Sequence, residues 1–117
     1  MALSTASKTA AEASITFDAG SPVFVFQRGF RSLARTAGQP LGCFDLELDD
    51  TNPVGPGEGV ATGCTTLNEA LAPRSSPVVC GLLVIGGRAV LRVAIVDKTG
   101  PVILSDRPFA VTLLRLN

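Results

Sequence analysis

The clearest hydrophobic pattern in this chain lies at residues 77–97, PVVCGLLVIGGRAVLRVAIVD. Two apolar, β-branched runs flank Gly86 and Gly87, and two consecutive glycines supply the positive φ angles that a two-residue hairpin turn requires. The sequence therefore predicts a β-hairpin. With the two glycines as the loop, its pairing starts with Ile85 opposite Arg88 and continues toward the strand ends.

The register of this hairpin divides its side chains between two faces. One face is expected to point into the protein's own interior. On the first strand that face carries Val78, Cys80, Leu82 and Val84. The opposite face is also apolar apart from two arginines, so one core does not account for it, and we expect a second chain to cover it. The residues of this predicted oligomer interface are Leu83, Ile85, Arg88, Val90 and Arg92.

Residues 44–49, FDLELD, alternate without error between apolar and acidic side chains. This is the pattern of a strand with one buried face. Phe44, Leu46 and Leu48 are expected to point inward, and Asp45, Glu47 and Asp49 outward. Carboxylates are ligands for hard cations, but their spacing along a strand is too wide for all three to converge on one ion. The row therefore favours a solvated acidic edge, which protects a sheet against edge-to-edge aggregation.

Further short strands are predicted along the chain. They lie at residues 15–17, 23–27, 102–104 and 109–116. Alternation places Phe24 and Phe26 on one face of the second of these strands. The T-x-x-E pattern at Thr66 predicts a short helix over residues 66–71. The whole pattern predicts an all-β fold, a small β-sandwich or barrel with one short helix.

Two explanations are open for residues 27–40, QRGFRSLARTAGQP. The spacing of Arg28, Arg31 and Arg35 would place them on one face of a helix, whereas the glycines favour an irregular basic loop or a one-turn helix. In either case the basic face is solvated, or it forms an arginine patch that meets the acidic surface of a partner.

Residues 1–14 are mostly Ala, Ser and Thr, a composition that buries little apolar surface. We interpret them as an extended N-terminal arm, followed by a single β domain at residues 15–117. One helical turn at residues 9–13 is the alternative local structure. The predicted points of attachment to a partner are Leu3 and Lys8 of the arm together with Arg28, Arg31 and Arg35.

The composition favours association of this chain with other proteins. Its 117 residues suffice for one domain, and they are 46% apolar but only 17% charged, against about 25% charged in a typical soluble domain. Ten basic and ten acidic residues cancel, so the positive bias typical of nucleic-acid-binding proteins is missing. The apolar runs are too short to cross a bilayer as a helix. We therefore expect a homo-oligomer with no nucleic-acid partner and no membrane partner.

The chain has few of the residues that catalysis needs. It contains no histidine and no recognised nucleophile motif, which argues against an enzyme.

Cys43, Cys64 and Cys80 lack metal-ligand spacing, so no metal or cofactor is expected. Buried free thiols are the favoured interpretation of the cysteines, and one disulfide, with its pairing open, is the alternative.

The small-residue segment leads into ITFDAGSPVFVF and a compact β body, and in this general character the chain resembles the decoration, or cement, proteins of tailed-bacteriophage heads. This resemblance implies an oligomer, with a trimer favoured, that clamps neighbouring capsid subunits and stabilises the capsid lattice. It also implies a virion location after synthesis in the host cytoplasm; a cytoplasmic protein is the alternative. A small ligand-binding or carbohydrate-binding β-sandwich is the second functional hypothesis, which the lack of Trp and Tyr disfavours.

Overall fold

Two antiparallel β-sheets make up the regular structure of this protein. The structure is a computed structural model, and it describes residues 7–39, 41–49, 57–65, 78–99, 102–104 and 106–116. Across these ranges the regular elements are nine strands and no helix, so the prediction of an all-β sandwich is confirmed. The predicted helix at residues 66–71 lies outside the described residues. The strands are β1 (Ser7–Asp18), β2 (Ser21–Arg28), β3 (Phe30–Arg35), β4 (Cys43–Leu48), β5 (Gly59–Thr65), β6 (Val78–Ile85), β7 (Arg88–Thr99), β8 (Val102–Leu104) and β9 (Phe109–Leu116).

The strand order brings the edges of the two sheets together in pairs. The first sheet, sheet A, has the order β2-β1-β9-β5, and the second, sheet B, has the order β3-β4-β7-β6, with β8 pairing with the end of β7. Edge strand β2 lies beside β3, and edge strand β5 lies beside β6. Strands β2 and β6 are therefore on opposite lateral sides of the sandwich.

The hydrophobic core fills the space between the sheets. Strand β4 has the predicted alternation, since Phe44, Leu46 and Leu48 are buried and the acidic residues between them are not. Strand β9 of the opposite sheet contributes side chains from every second position, as a strand with one buried face does. Its buried residues are Phe109, Val111 and Leu113. The rings of Phe44 and Phe109 stack with their centroids 5.5 Å apart, so they join the two sheets at the centre of the core.

The predicted β-hairpin is confirmed in its turn and its register. Gly86 and Gly87 have φ angles of 59° and 80°, and β6 pairs with β7 from Ile85 opposite Arg88 to Val78 opposite Ile95 without a shift. The inward face is as predicted except at Val84. That side chain is 56% exposed, because the tip of the hairpin extends past the end of the core.

The predicted N-terminal arm is wrong from Ser7 onward, as is the alternative helical turn at residues 9–13. Strand β1 lies in the interior of sheet A, between β2 and β9. Its small side chains are needed where the chain crosses between the sheets, since a Cβ atom on Gly29 would lie 2.6 Å from the carbonyl oxygen of Ala10 and 2.8 Å from the Cβ atom of Ala11. Small residues here indicate close packing, not an arm. Leu3 lies outside the described residues.

Within the predicted segment 27–40, the described residues 27–39 form neither the predicted helix nor an irregular basic loop. Strand β2 continues to Arg28, and β3 begins at Phe30. Gly29 reverses the chain between them with a φ angle of 89°, and the backbone N–H of Phe30 donates a hydrogen bond of 3.0 Å to the Gln27 side-chain oxygen. Phe30 and Leu33 face the core from β3.

A β-bulge in β2 overturns the prediction that Phe24 and Phe26 share a face. Phe24 lies opposite Ile15 but Phe26 lies opposite Ser14, so Val25 is the extra residue. Because cross-strand neighbours share a face, Phe24 points inward with buried Ile15 whereas Phe26 points outward. Phe26 is 52% exposed.

Candidate interaction surfaces

Ion pairs cover much of the outer face of sheet B, which contains the predicted oligomer interface. Arg92 donates to Asp45 through Nε at 2.8 Å from Oδ1 and through Nη2 at 3.0 Å from Oδ2. The Thr36 hydroxyl also donates to Asp45 Oδ1, at 2.8 Å. The hydrogen bond from Arg92 is the main reason that the pKa of Asp45 is lowered, whereas burial raises the pKa of neighbouring Cys43. The charge of Arg92 is therefore matched within its own chain.

Glu47 lies between two arginines on the same face. Its Oε2 atom is 3.3 Å from Arg88 Nη1 and 3.7 Å from Arg31 Nε. The pairing of β3 with β4 shifts between Phe30 and Ser32, and this bulge lets both Arg31 and Ser32 reach Glu47, with the Ser32 hydroxyl 3.5 Å from Oε1. The outer face of sheet B thus carries a network of ion pairs whose positive and negative charges largely balance. We call this network the charged lattice, and its residues are Arg31, Asp45, Glu47, Arg88 and Arg92.

The predicted solvated acidic edge is wrong for Asp45 and Glu47. Strand β4 is an interior strand, between β3 and β7, so it has no open edge to protect. Both carboxylates pair with arginines of the neighbouring strands. Within the described ranges, no group of three or more His, Cys, Asp or Glu residues is placed to hold a metal ion.

The other residues of the predicted oligomer interface lie in the hairpin register. Leu83 is opposite Val90, and Ile85 is opposite Arg88. Val90 is buried although it faces outward, whereas Ile85 is exposed near the hairpin tip. Leu83 is half-buried. The geometry is thus as predicted, and the burial of this face by a second chain stays a prediction.

The three arginines of the predicted attachment patch lie in three separate places. Arg28 ends β2 and is 3.7 Å from Glu12 of β1, with both side chains exposed. Arg31 joins the charged lattice of sheet B. Arg35 points the other way, where its guanidinium lies 5.3 Å from the centre of the Phe44 ring. The structure therefore does not form one arginine patch, because strand geometry separates residues that a helix would have aligned. Lys8 lies in β1, within sheet A rather than on an arm.

All three cysteines are free thiols, in agreement with the favoured prediction. Cys43 is buried and Cys80 is half-buried, but Cys64 is exposed on the edge strand β5. Burial is the reason that the pKa of Cys80 is raised. The expectation of buried thiols therefore holds for Cys43, holds in part for Cys80 and is wrong for Cys64.

The exposed large apolar side chains are concentrated on edge strands. Eight such residues occur in the described part of the chain: Val23, Val25, Phe26, Leu41, Val60, Val79, Val84 and Ile85. Two groups of three stand out. The β2 patch consists of Val23, Val25 and Phe26, which are 37–65% exposed, and the β6 patch consists of Val79, Val84 and Ile85, which are 43–58% exposed. The two patches lie on opposite lateral sides of the sandwich.

The β2 patch was not predicted as an interaction surface, although its signal is present in the sequence. Residues 23–26, VFVF, are apolar at every position, and a strand at the edge of a two-layer fold buries only one face. Which of these side chains is exposed depends on the bulge at Val25, and no residue type in this stretch marks that bulge.

Comparisons with protein-family models, with curated proteins and with solved structures find no match for this chain. In the part that the structure describes, no helix is long and apolar enough to cross a membrane.

Proposed function

We propose that this protein is a structural assembly protein that forms a homo-oligomer and makes non-covalent contacts with other protein subunits. The observation that carries the proposal is the pair of apolar patches on opposite sides of the domain. Within the β6 patch, Val79 and Ile85 lie on the outer face of the strand, and Val84 lies on the other face at the exposed hairpin tip. Groups of exposed large apolar side chains mark contact sites between proteins. A domain with two such surfaces on opposite sides has the form of a connector between two neighbours.

The size of each patch sets the strength of the contact. Full burial of one large apolar side chain contributes about 1.5–3 kcal/mol, so covering three side chains that are about half exposed contributes about 2–4 kcal/mol. This is less than the entropic cost of associating two molecules. One patch therefore supports only weak pairwise binding, and a stable assembly needs both patches, or a partner that holds several copies in place.

The charged lattice of sheet B acts at the rim of such a contact. Burying an ion pair such as Arg92 with Asp45 costs desolvation energy that the pair scarcely recovers. Charges at a rim instead set the orientation of the partner. The apolar residues of the predicted interface, Leu83 and Ile85, thus contribute binding free energy. Arg88 and Arg92 determine how the partner chain is oriented on this face.

The setting we propose is the surface of a virus particle, where the protein decorates a capsid lattice and stabilises it. What supports this is the general character of the chain, a small all-β domain with few charges and with exposed apolar side chains on two edge strands, β2 and β6. A decoration protein must touch at least two subunits to hold them together, and the opposite placement of the patches meets that need.

Sedimentation velocity tests self-association. We expect the mass to rise with concentration above the 12.0 kDa of one chain, toward three times that value for a trimer. A single 12.0 kDa species throughout the micromolar range would contradict the oligomer.

Quantitative mass spectrometry of purified virus particles tests the proposed setting. We expect this protein in a fixed ratio to the shell subunit. Its absence from intact particles would exclude the decoration role and leave only self-association.

A further inference from the structure

We propose that β6 accepts an extended segment of a partner protein, which adds to sheet B as one further β-strand. This inference rests on the proposed function and deepens it, because it names the chemistry of a contact with another subunit. The site is the lateral edge of β6 (Val78–Ile85) that faces away from β7. We call it the open edge of β6.

The open edge has backbone groups that the hairpin does not use. Among the described strands, β6 pairs with β7 alone. Ile85 and Arg88 close a two-residue loop, so they exchange both backbone hydrogen bonds, and such bonded pairs recur at every second position of the hairpin. The N–H and C=O groups of the residues between these positions therefore point away from β7. Those residues are Cys80, Leu82 and Val84.

The sequence of β6 lacks the features by which edge strands avoid pairing with another chain. Those features are charged side chains, proline and β-bulges. Strand β2 contains Pro22 and a bulge, and strand β3 contains Arg31 and a bulge. By contrast, β6 is VVCGLLVI, without charge or proline, and its pairing with β7 has no shift. An edge of this kind is a template for a further strand, so its chemistry selects an extended backbone as the ligand.

Strand β5 limits the open edge at one end only. At that end Gly63 of β5 packs against Val78, since a Cβ atom on this glycine would lie 2.7 Å from Val78 Cγ1. Toward the hairpin tip the strand is accessible, because Val79, Gly81 and Val84 are exposed. The partner segment therefore pairs with residues 79–85.

Gly81 gives the site a preference for one side chain of the partner. A Cβ atom on Gly81 would meet nothing within 4 Å. Because Gly81 is hydrogen-bonded to β7, it forms a non-hydrogen-bonded pair with an added antiparallel strand, the kind of pair in which side chains lie closest. An aromatic residue opposite an edge glycine covers its exposed backbone and packs on the neighbouring side chains, which here are Val79 and Leu83. Charged residues of the segment would find no charged partner on β6.

A library of random dodecapeptides, selected for binding to the whole protein, supplies the probe. We expect the selected peptides to be uncharged and apolar at every second position, with one aromatic residue. Hydrogen exchange should show that they protect the amides of Leu82 and Val84, which point to the open edge. Peptides without this pattern, or peptides that leave both amides unprotected, would overturn the proposal.

Val84→Pro removes one N–H group of the open edge while it leaves the hydrogen bonds to β7 in place, and edge strands tolerate proline at such positions. Val84→Thr is the matched control, because threonine has nearly the same shape and keeps the N–H group. The selected peptide should bind Val84→Pro about 10-fold more weakly than the wild type, as expected for one lost hydrogen bond. It should bind Val84→Thr like the wild type, and urea unfolding checks that each variant is folded.

Gly81→Val tests the preference for an aromatic residue and does not depend on the proline variant. Replacing the aromatic residue of the peptide with alanine should weaken binding to the wild type, and it should weaken binding to Gly81→Val less. Equal losses would contradict the pairing of that residue with Gly81.

Sedimentation velocity of the wild type separates this inference from the proposed function. If the peptides bind Val84→Pro as tightly as the wild type, and the wild type assembles beyond 12.0 kDa, strand addition is wrong and the proposed function stands. If the wild type is monomeric and absent from virus particles but the peptides bind as expected, the proposed function is wrong and the open edge remains a site for an extended segment.

Discussion

Arg35 and Asp106 join the two sheets through a bidentate ion pair. Nη1 of Arg35 lies 2.9 Å from Oδ1 of Asp106, and Nη2 lies 2.6 Å from Oδ2. Arg35 is on β3 of sheet B, and Asp106 precedes β9 of sheet A. Arg35 Nη2 also donates to the carbonyl oxygen of Gly20, at 2.8 Å, and the backbone N–H of Gly42 donates to Asp106 Oδ1, at 2.8 Å. One pair of side chains therefore connects four segments of the chain.

Replacing Asp106 with Asn should destabilise the fold. The substitution keeps the shape of the side chain but removes its charge and one of its acceptors, so the Arg35 guanidinium loses its matched partner. We expect the free energy of unfolding to fall by about 1–2 kcal/mol, the range for a partly solvated hydrogen bond to a charged group. Urea unfolding followed by circular dichroism measures this change.

Asp18→Asn is the matched control for that substitution. Asp18 is exposed at the end of β1, and surface changes of this kind usually stay within about 0.5 kcal/mol. Equal losses in the two variants would show that the Arg35 pair contributes nothing specific.

Stability should fall in acid because of Asp45 and Asp106. Hydrogen bonds from Arg92 and Arg35 lower the pKa of these two carboxyls below their ordinary value of 3.8. A lowered pKa in the folded state contributes stability that is present above the ordinary value and is lost as the pH falls through the folded pKa. With no histidine in the chain, no imidazole titrates near neutral pH. We expect a flat free energy of unfolding from pH about 8 to 5 and a fall below about 4.

The double variant Asp45→Asn, Asp106→Asn tests the origin of this acid sensitivity. It should be less stable than the wild type at neutral pH and should lose less on acidification, as measured by urea unfolding across the pH range. If both proteins lose the same free energy in acid, other carboxyls cause the effect.

The sequence was sufficient to predict those parts of the fold that depend on the alternation of apolar and polar residues along a strand and on the residue types in a turn. The Gly86-Gly87 turn determines the whole register of β6 on β7, and the alternation at residues 44–49 determines which face of β4 is buried. Both signals come from neighbouring residues. The cross-strand partners of β4 were beyond the reach of this pattern, because Arg31 and Arg92 are far from Asp45 and Glu47 in sequence.

The incorrect predictions concern small residues, because an alanine or a glycine can indicate either a flexible segment or close packing. Alanines of β1 suggested an arm, yet Ala10 and Ala11 are small because Gly29 packs against them. The strand β5 was not predicted, since its glycines resemble a loop, but Gly63 is a glycine because Val78 and the backbone of β9 approach it closely. Tertiary packing selects the small residue in both cases, and a single sequence does not separate that cause from flexibility.

The candidate surfaces were predictable only in part. The outward face of the hairpin was expected to be apolar with two arginines, and that arrangement is present. The balance of its charges by Asp45 and Glu47 follows from the position of β4 beside β7, which strand pattern alone does not specify. The exposure of Phe26 depends on one bulged residue, and a bulge alters every side-chain direction beyond it.

The three thiols should differ in their rate of reaction with a disulfide reagent. Cys64 is exposed, whereas Cys43 is buried and burial raises its pKa, so little of it is thiolate. We expect one thiol per chain to react at least about 10-fold faster than the others. Cys64→Ser should remove this fast phase and Cys80→Ser should keep it. A fast phase that survives Cys64→Ser would mean that the region around another cysteine opens readily.

Adding a methyl group at Gly63 should test how closely β5 packs against β6. A Cβ atom there would lie 2.7 Å from Val78 Cγ1 and 3.2 Å from the carbonyl oxygen of Ala110. Valine is β-branched and has little rotamer freedom to move aside, so Gly63→Ala should lower the free energy of unfolding by about 1–3 kcal/mol. Val78→Ala removes the opposing methyl groups, and the double variant should therefore lose less than the sum of the two single variants in urea unfolding. Strictly additive losses would show that β6 moves freely away from β5, and that the two edges are not held together by this contact.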